Sequence, residues 1–338
     1  MPPKRPLLSS TPFQRVFPLE IFLVIKATIP LGDIRTHVCF YKTHPRMTAM
    51  YDSEKNDDLF WRRLCWHSGI GALDKDDLED PHCWRGIALE LVEKEGFCKH
   101  PRCGTGLLSY NRRRMEDVAG WLKPLAVCSD WEDDLYTASD SDSEDDTPST
   151  HMVIDNEGRR ADGESEDNPP HLSPHRVLSS IKFRDRPWGG YYSVREDAQL
   201  RPLTKAEESY GGSALLQDHL LIQRSFATDV PINKLLLGEL GGHELAGEIV
   251  KRRTGVTVLD IVTTIHADLD LRLTEDEKRG LVDHLDLLYN CCETTAEDVY
   301  ARFNTLRDAL NKFHLDEFYY DGAIINGAPL FLPNLREN

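Results

Sequence analysis

Between Phe17 and Ile29 the chain reads FPLEIFLVIKATI, and its apolar positions cover nearly the whole circumference of a helix instead of one stripe. Pro18 suits the first turn and Ile29-Pro30 ends it, which predicts a helix of about ten residues. A helix apolar on all sides calls for burial on more than one face. A second helix is predicted from Asp33 as N-cap, with Ile34, Val38 and Tyr41 at i, i+4 and i+7, stopping before Pro45. Asp57-Asp58 then cap a helix carrying Leu59, Phe60, Trp61 and Leu64, closed by Gly69. Three short helices make too small a core to enclose the first, so part of its surface is expected to lie under another domain or another chain. The strongest local signal follows: Asp80-Pro81 as N-cap and N1, one apolar face of Trp84, Ile87, Ala88, Leu91 and Val92, and Gly96 at the end.

After Pro174 the pattern is mixed. Asp218 to Phe226 reads as a strand, as does the start at Gly255-Val256-Thr257-Val258, while Trp188-Gly189-Gly190-Tyr191-Tyr192 and Gly211-Gly212 read as turns. Thr257 with Asp260, Thr274 with Glu277 and Thr295 with Asp298 resemble capping boxes that open three helices. The last carries Val299, Phe303, Leu306, Leu310 and Phe313 along one side. Phe318 to Tyr320, Ile324-Ile325, a turn at Asn326-Gly327 and Leu330-Phe331-Leu332 predict a terminal hairpin. The Gly-rich stretch Gly238-Glu239-Leu240-Gly241-Gly242-His243 is neither a dinucleotide fingerprint nor a Walker loop and reads as a hairpin or loop.

Charge divides the chain. The 338 residues have a net charge of -17, but residues 129–170 alone carry 15 acidic and 2 basic side chains and almost no apolar ones. Such a stretch cannot offset its ordering entropy, so it reads as a disordered linker over 129–173. Ser139, Ser141 and Ser143 each have an acid three residues on, the pattern that acidophilic kinases prefer, so they are candidate phosphorylation sites. The excess acid argues against bulk attraction to nucleic acid or anionic membrane. With neither an 18-residue apolar stretch nor a secretory pattern, a cytoplasmic or nuclear protein with its eight Cys as thiols is expected.

The N-terminal residues resemble the F-box family. Pro18-Leu19-Glu20-Ile21 matches its opening Pro, acid and aliphatics, and Ile29-Pro30-Leu31-Gly32-Asp33-Ile34 its aliphatic-Pro-aliphatic turn and Asp. Cys39-Phe40-Tyr41-Lys42 and Phe60-Trp61-Arg62-Arg63-Leu64 match its later Cys-aromatic-basic and Leu-Trp-Arg-like stretches. The resemblance spans residues 13–66. Phe17 stands where the family more often has Leu, and the polar run Asp52 to Asp57 reads as a loop inserted before the last helix. The resemblance implies a three-helix module that docks on the small adaptor subunit of an SCF-type cullin-RING ubiquitin ligase. It implies adaptor contacts at Pro18, Leu19, Ile21, Ile25, Leu31 and Ile34, with Trp61 and Leu64 closing the module.

Other candidate chemistry is thin. Cys98 and Cys103 invite a zinc reading, with Cys65, His67, His82, Cys83 and Cys128 as further donors, but structural zinc needs two paired motifs and one pair is visible, so no metal or cofactor is expected. Lys99, Arg102, Arg112, Arg113 and Arg114 form the one dense basic group and could hold an acidic or phosphorylated ligand. His243 beside Glu244, and His266 near Asp268 and Asp270, are adjacencies that any His-containing chain offers, and Cys291-Cys292 is unsuited to a routine disulfide. The expected architecture is therefore an all-α N-terminal part (an F-box-like module over 13–66 and a helical extension over 67–128), the acidic linker, and an α+β domain over 174–334 that binds a substrate or partner. The expected function is a noncatalytic substrate-recruiting adaptor. The alternatives are an F-box-like scaffold acting outside ubiquitination and an enzyme housed in the C-terminal domain.

Overall fold

The computed structural model describes residues 18–53, 57–80, 82–98, 104–122, 172–178, 181–182, 191–193, 213–215, 219–240, 243–244, 249–288 and 295–337. Helix α1 (Leu19–Thr28) follows Pro18 and stops one residue before Ile29-Pro30 turns the chain. Helix α2 (Ile34–Thr43) is capped by Asp33, whose Oδ1 accepts the Thr36 amide at 3.1 Å. Pro45 ends α2 as expected, but at N1 it also opens a further helix, α3 (Pro45–Asp52), for which the His44 Nδ1 accepts the Arg46 amide. The expected three helices are therefore four, and the polar run Asp52 to Asp57 joins α3 to α4 (Asp57–His67), with residues 54–56 outside the described ones. Gly69, at φ +70, closes α4 in the left-handed region that glycine enters without strain.

Tyr51 and Trp61 form the hub of this bundle. Both are at most 1 % exposed, and their rings stack at 5.5 Å with Tyr41 edge-on to each. Helix α5 (Cys83–Lys94) buries Trp84, Ile87, Ala88, Leu91 and Val92, the face expected from spacing. Its cap is His82 and not Asp80; the Asp80 Oδ1 instead accepts the His82 amide, so the helix starts later than the Asp-Pro pair suggested. Helix α6 (Gly104–Leu122) completes the helical N-terminal region.

The C-terminal region combines helices with a small mixed sheet. Strands β1 (Ile181–Lys182), β2 (Tyr191–Ser193) and β3 (Ser213–Leu215) form a short antiparallel sheet. Residues Leu220–Arg224 are a helix, α7, which corrects the strand expected there: its apolar run is buried on every side, a situation in which period cannot tell strand from helix. Strand β4 (Lys234–Leu237) leads into the short hairpin of β5 (Glu239–Leu240) and β6 (His243–Glu244), and β7 (Ile249–Lys251) returns beside β4. Helix α8 (Val258–Asp268) begins at the Thr257/Asp260 capping box, so the supposed strand at 255–258 is a helix entry, joined to Phe226 by one bridge. Helix α9 (Glu275–Leu288) starts behind Thr274, whose amide and hydroxyl exchange hydrogen bonds with Glu277.

The next predicted helix is two: α10 (Ala296–Arg302) and α11 (Leu306–Lys312). The apolar spacing runs through the break, but Phe303 turns extended, and the Asn304 and Thr305 amides both donate to the Asp308 carboxylate at 2.9 Å, restarting the helix. Strands β8 (Phe313–Ile325) and β9 (Ala328–Glu337) pair through Asn326-Gly327, both with positive φ, as a two-residue hairpin requires. The larger sheet runs β7-β4-β9-β8, with β4 and β9 parallel and the other pairs antiparallel.

The acidic stretch separates these regions along the chain but not in space. The Gly71 amide donates to the Arg224 carbonyl at 2.7 Å, the Phe226 amide donates to the Gly69 carbonyl at 3.1 Å, and Leu221 and Ile222 are buried in one core with Leu91 and Leu107. The Asn111 amide donates to the Ser225 Oγ at 3.0 Å, while its Oδ1 pairs with the His175 Nε2 at 2.9 Å. Residues 129–171 of the expected acidic linker, with Ser139, Ser141 and Ser143, lie outside the described residues, whereas Leu172 packs against the core and the Ser173 carbonyl accepts the Asp229 amide at 2.8 Å.

The turn between α1 and α2 is held tightly. A Cβ on Gly32 would stand 2.6 Å from the Arg112 Cγ, which can move, and 2.9 Å from the His67 carbonyl oxygen, which cannot. Gly32→Ala is therefore expected to cost about 1–3 kcal/mol in urea denaturation; an unchanged midpoint would contradict this packing.

Candidate functional site

Helix α1 inverts the usual burial rule. Leu19 is 49 % exposed, Ile21 43 %, Leu23 46 %, Val24 61 % and Ile25 39 %, whereas its one buried residue is Lys26, at 8 %. Soluble proteins seldom leave five neighbouring aliphatic side chains in water, and such a patch marks a surface that meets something else. The helix touches the bundle through the half-buried Phe22 and through Lys26 four residues on, and Ile29 just beyond its end is half-buried. The Lys26 Nζ lies 4.0 Å from the Tyr51 ring centroid and 4.6 Å from that of Phe60. The Tyr51 hydroxyl pairs with the His37 Nδ1 at 2.8 Å. Burial, and then the Lys26 charge, depress the His37 imidazole to a pKa of about 4, so it is neutral at pH 7.

This geometry sorts the residues expected to meet an adaptor. Pro18, Leu19, Ile21 and Ile25 stand on the exposed face, and Leu31 is half-buried at the following turn. Ile34, Trp61 and Leu64 are at most 1 % exposed, with their side chains in the chain's own core; Ile34 is thereby corrected as an adaptor contact, and Trp61 and Leu64, expected to close the module, have no surface of their own to offer a partner. Leu23 and Val24 belong to the exposed face and were missed. The signal for them lay in the sequence, because Lys26 is the one charged residue between Ile21 and Ile29, and its side is the one α1 turns inward.

No family model, no curated protein and no solved structure matches the chain. What α1 can do therefore rests on its own residues. No helix among the described residues is long and apolar enough to cross a membrane.

Of the basic group, the described arginines Arg112, Arg113 and Arg114 do not converge on one point. Consecutive residues on a helix point about 100° apart, and α6 sends its three arginines to different partners. Arg112 faces Glu116 at 3.3 Å, the Arg113 Nε donates to the Ser109 carbonyl at 3.3 Å, and Arg114 forms an ion pair with the buried carboxylate of Asp229. Arg114 is thus committed within the fold, while Lys99 and Arg102 lie outside the described residues.

Among the described residues no three His, Cys, Asp or Glu side chains converge to hold a metal. Cys103 and Cys128 lie outside the described residues. Burial pushes the Cys65 thiol up, and it pushes that of Cys83 up to about 11, so both are protonated thiols at neutral pH. Near His266, Asp270 is engaged by Arg307 through two hydrogen bonds of 2.7 and 3.0 Å, and it also interacts electrostatically with the imidazole. The Cys291-Cys292 pair lies outside the described residues.

Proposed function

We propose that the chain is an F-box-like adaptor that docks on the small adaptor subunit of an SCF-type ubiquitin ligase through α1 and presents a target protein with the remainder of the fold. The observation that carries this reading is the row Leu19, Ile21, Leu23, Val24 and Ile25, left in water while the lysine of the same helix is buried. Covering side chains already half shielded yields about 1 kcal/mol each, enough together for a stable protein contact. The opening Pro-Leu-Glu-Ile and the Ile-Pro-Leu-Gly-Asp turn supply the family pattern at the same place. The chain contributes no catalytic group in this role. Ubiquitin transfer belongs to other subunits, and proximity is what this protein adds.

The test is copurification of the full chain with the ligase adaptor, wild type against Pro18→Ser with Ile21→Ser. Both positions are exposed, so the fold is expected to keep its stability within about 0.5 kcal/mol while the affinity falls about 10–100-fold. A wild type that fails to bind the adaptor sinks the proposal. Comparing the abundance of a captured target with and without a ligase inhibitor separates an adaptor from a scaffold that only holds its partner.

A further inference from the structure

We propose that Lys26 is a latch that positions α1 on the bundle and so orients the docking face; this rests on the docking reading above. Phe22, Lys26 and Ile29 are the inward residues of this segment, and the central one is charged. Placing an ammonium in an apolar contact costs desolvation, which the faces of Tyr51 and Phe60 offset at 4.0 and 4.6 Å. An aliphatic residue there would gain from burial in any register. The ammonium gains in addition from standing over the rings, and so favours the register that puts it there.

The receptor for the ammonium is itself rigid. Tyr51 is 1 % exposed, stacked on Trp61 at 5.5 Å and held by the His37 imidazole at its hydroxyl, and Phe60 stands edge-on to His37 at 5.3 Å. Charge geometry inside thereby fixes α1 while its aliphatic side chains face outward. A partner then meets an ordered face and spends less of its binding energy on ordering it. Neutralising Lys26 is expected to loosen α1 without loosening α4.

The experiment compares full-length wild type, Lys26→Met, Lys26→Arg, Phe60→Leu and the Lys26→Met/Phe60→Leu double variant by amide hydrogen exchange and by affinity for the purified ligase adaptor. In Lys26→Met the α1 amides are expected to exchange about tenfold faster, with α4 unchanged, and adaptor binding to weaken about tenfold. Lys26→Arg retains the cation and brings both readouts back towards wild type. Phe60→Leu falls between, and the double variant is no looser than Lys26→Met because the two remove one interaction. Should Lys26→Arg fail to fold, the pair of Phe60→Leu and the double variant carries the comparison. Wild-type exchange in Lys26→Met, or equal acceleration of α4, overturns the latch. An adaptor that binds Lys26→Met as tightly as wild type also overturns it and leaves the docking reading standing. Exchange confined to α1, with no adaptor binding by any form, supports the latch and removes the docking reading instead.

Discussion

Replacing Asp76 by alanine is expected to lower the unfolding free energy by about 3–5 kcal/mol. Arg224 is 2 % exposed, and its guanidinium meets Asp76 in two hydrogen bonds, Nη1 to Oδ2 at 2.5 Å and Nη2 to Oδ1 at 2.9 Å. Burial alone would raise the Asp76 carboxyl, but the hydrogen bonds from Arg224 and from the Leu73 amide outweigh it and hold the pKa below its ordinary value. Removing the carboxylate strands a charge in the core, a far larger penalty than losing a surface ion pair. The pair sits where the Arg224 carbonyl also receives the Gly71 amide, so the loss falls on the seam between the helical region and the C-terminal region. Urea denaturation followed by tryptophan fluorescence measures it. Asp76→Leu combined with Arg224→Met removes both charges and is expected to recover most of the loss. A loss below about 1 kcal/mol in Asp76→Ala would mean that the pair behaves as if solvated.

Acidification is expected to have an effect of similar size through two buried histidines. His37 is held neutral down to about pH 4 and His175 down to about pH 3, each chiefly by burial, aided by Lys26 for the first and by Arg176 and Arg114 for the second. In the unfolded chain both titrate near 6.5. Above pH 6.5 neither state binds the protons, so stability is at its full value. As the pH falls from 6.5 to 4 the unfolded chain takes them up and the folded one does not, which costs on the order of 3 kcal/mol for each histidine by pH 4. For a protein stable by about 5–15 kcal/mol this is enough to approach unfolding. Denaturation midpoints taken across that window check it: His37→Gln or His175→Gln should each remove about half of the slope, and a wild-type stability that stays flat from pH 6.5 to 4 would contradict the burial of both rings.

Those two histidines illustrate what was and was not legible. His175 lies in a short stretch between the acidic segment and the sheet, and nothing near it in sequence suggests Asn111 or Ser225 as neighbours. The Thr257/Asp260 and Thr295/Asp298 caps, by contrast, were readable because both partners of each bond lie within four residues. The Asn326-Gly327 turn and the buried face of α5 were readable for the same reason. Pro45 misled because a proline that ends one helix is equally suited to N1 of the next. The apolar run Leu220-Leu221-Ile222 misled because the helix is buried all round and the run is too short to carry a period.

The candidate site divides in the same way. The sequence by itself determined that α1 is a helix, where it stops, and that its apolar residues exceed what one contact face can absorb. Only the tertiary structure decided that Lys26 goes inward over Tyr51 and Phe60, that Leu23 and Val24 join the exposed row, and that Ile34, Trp61 and Leu64 are used up within the core. It also drew Arg114 away from its neighbouring arginines by pairing it with Asp229, more than a hundred residues away. Helix ends and turns are decided by hydrogen bonds among near neighbours, which a local stretch of sequence contains. Whether an apolar or charged side chain meets water or a partner depends on which distant segment arrives beside it, and that depends on how the whole chain packs.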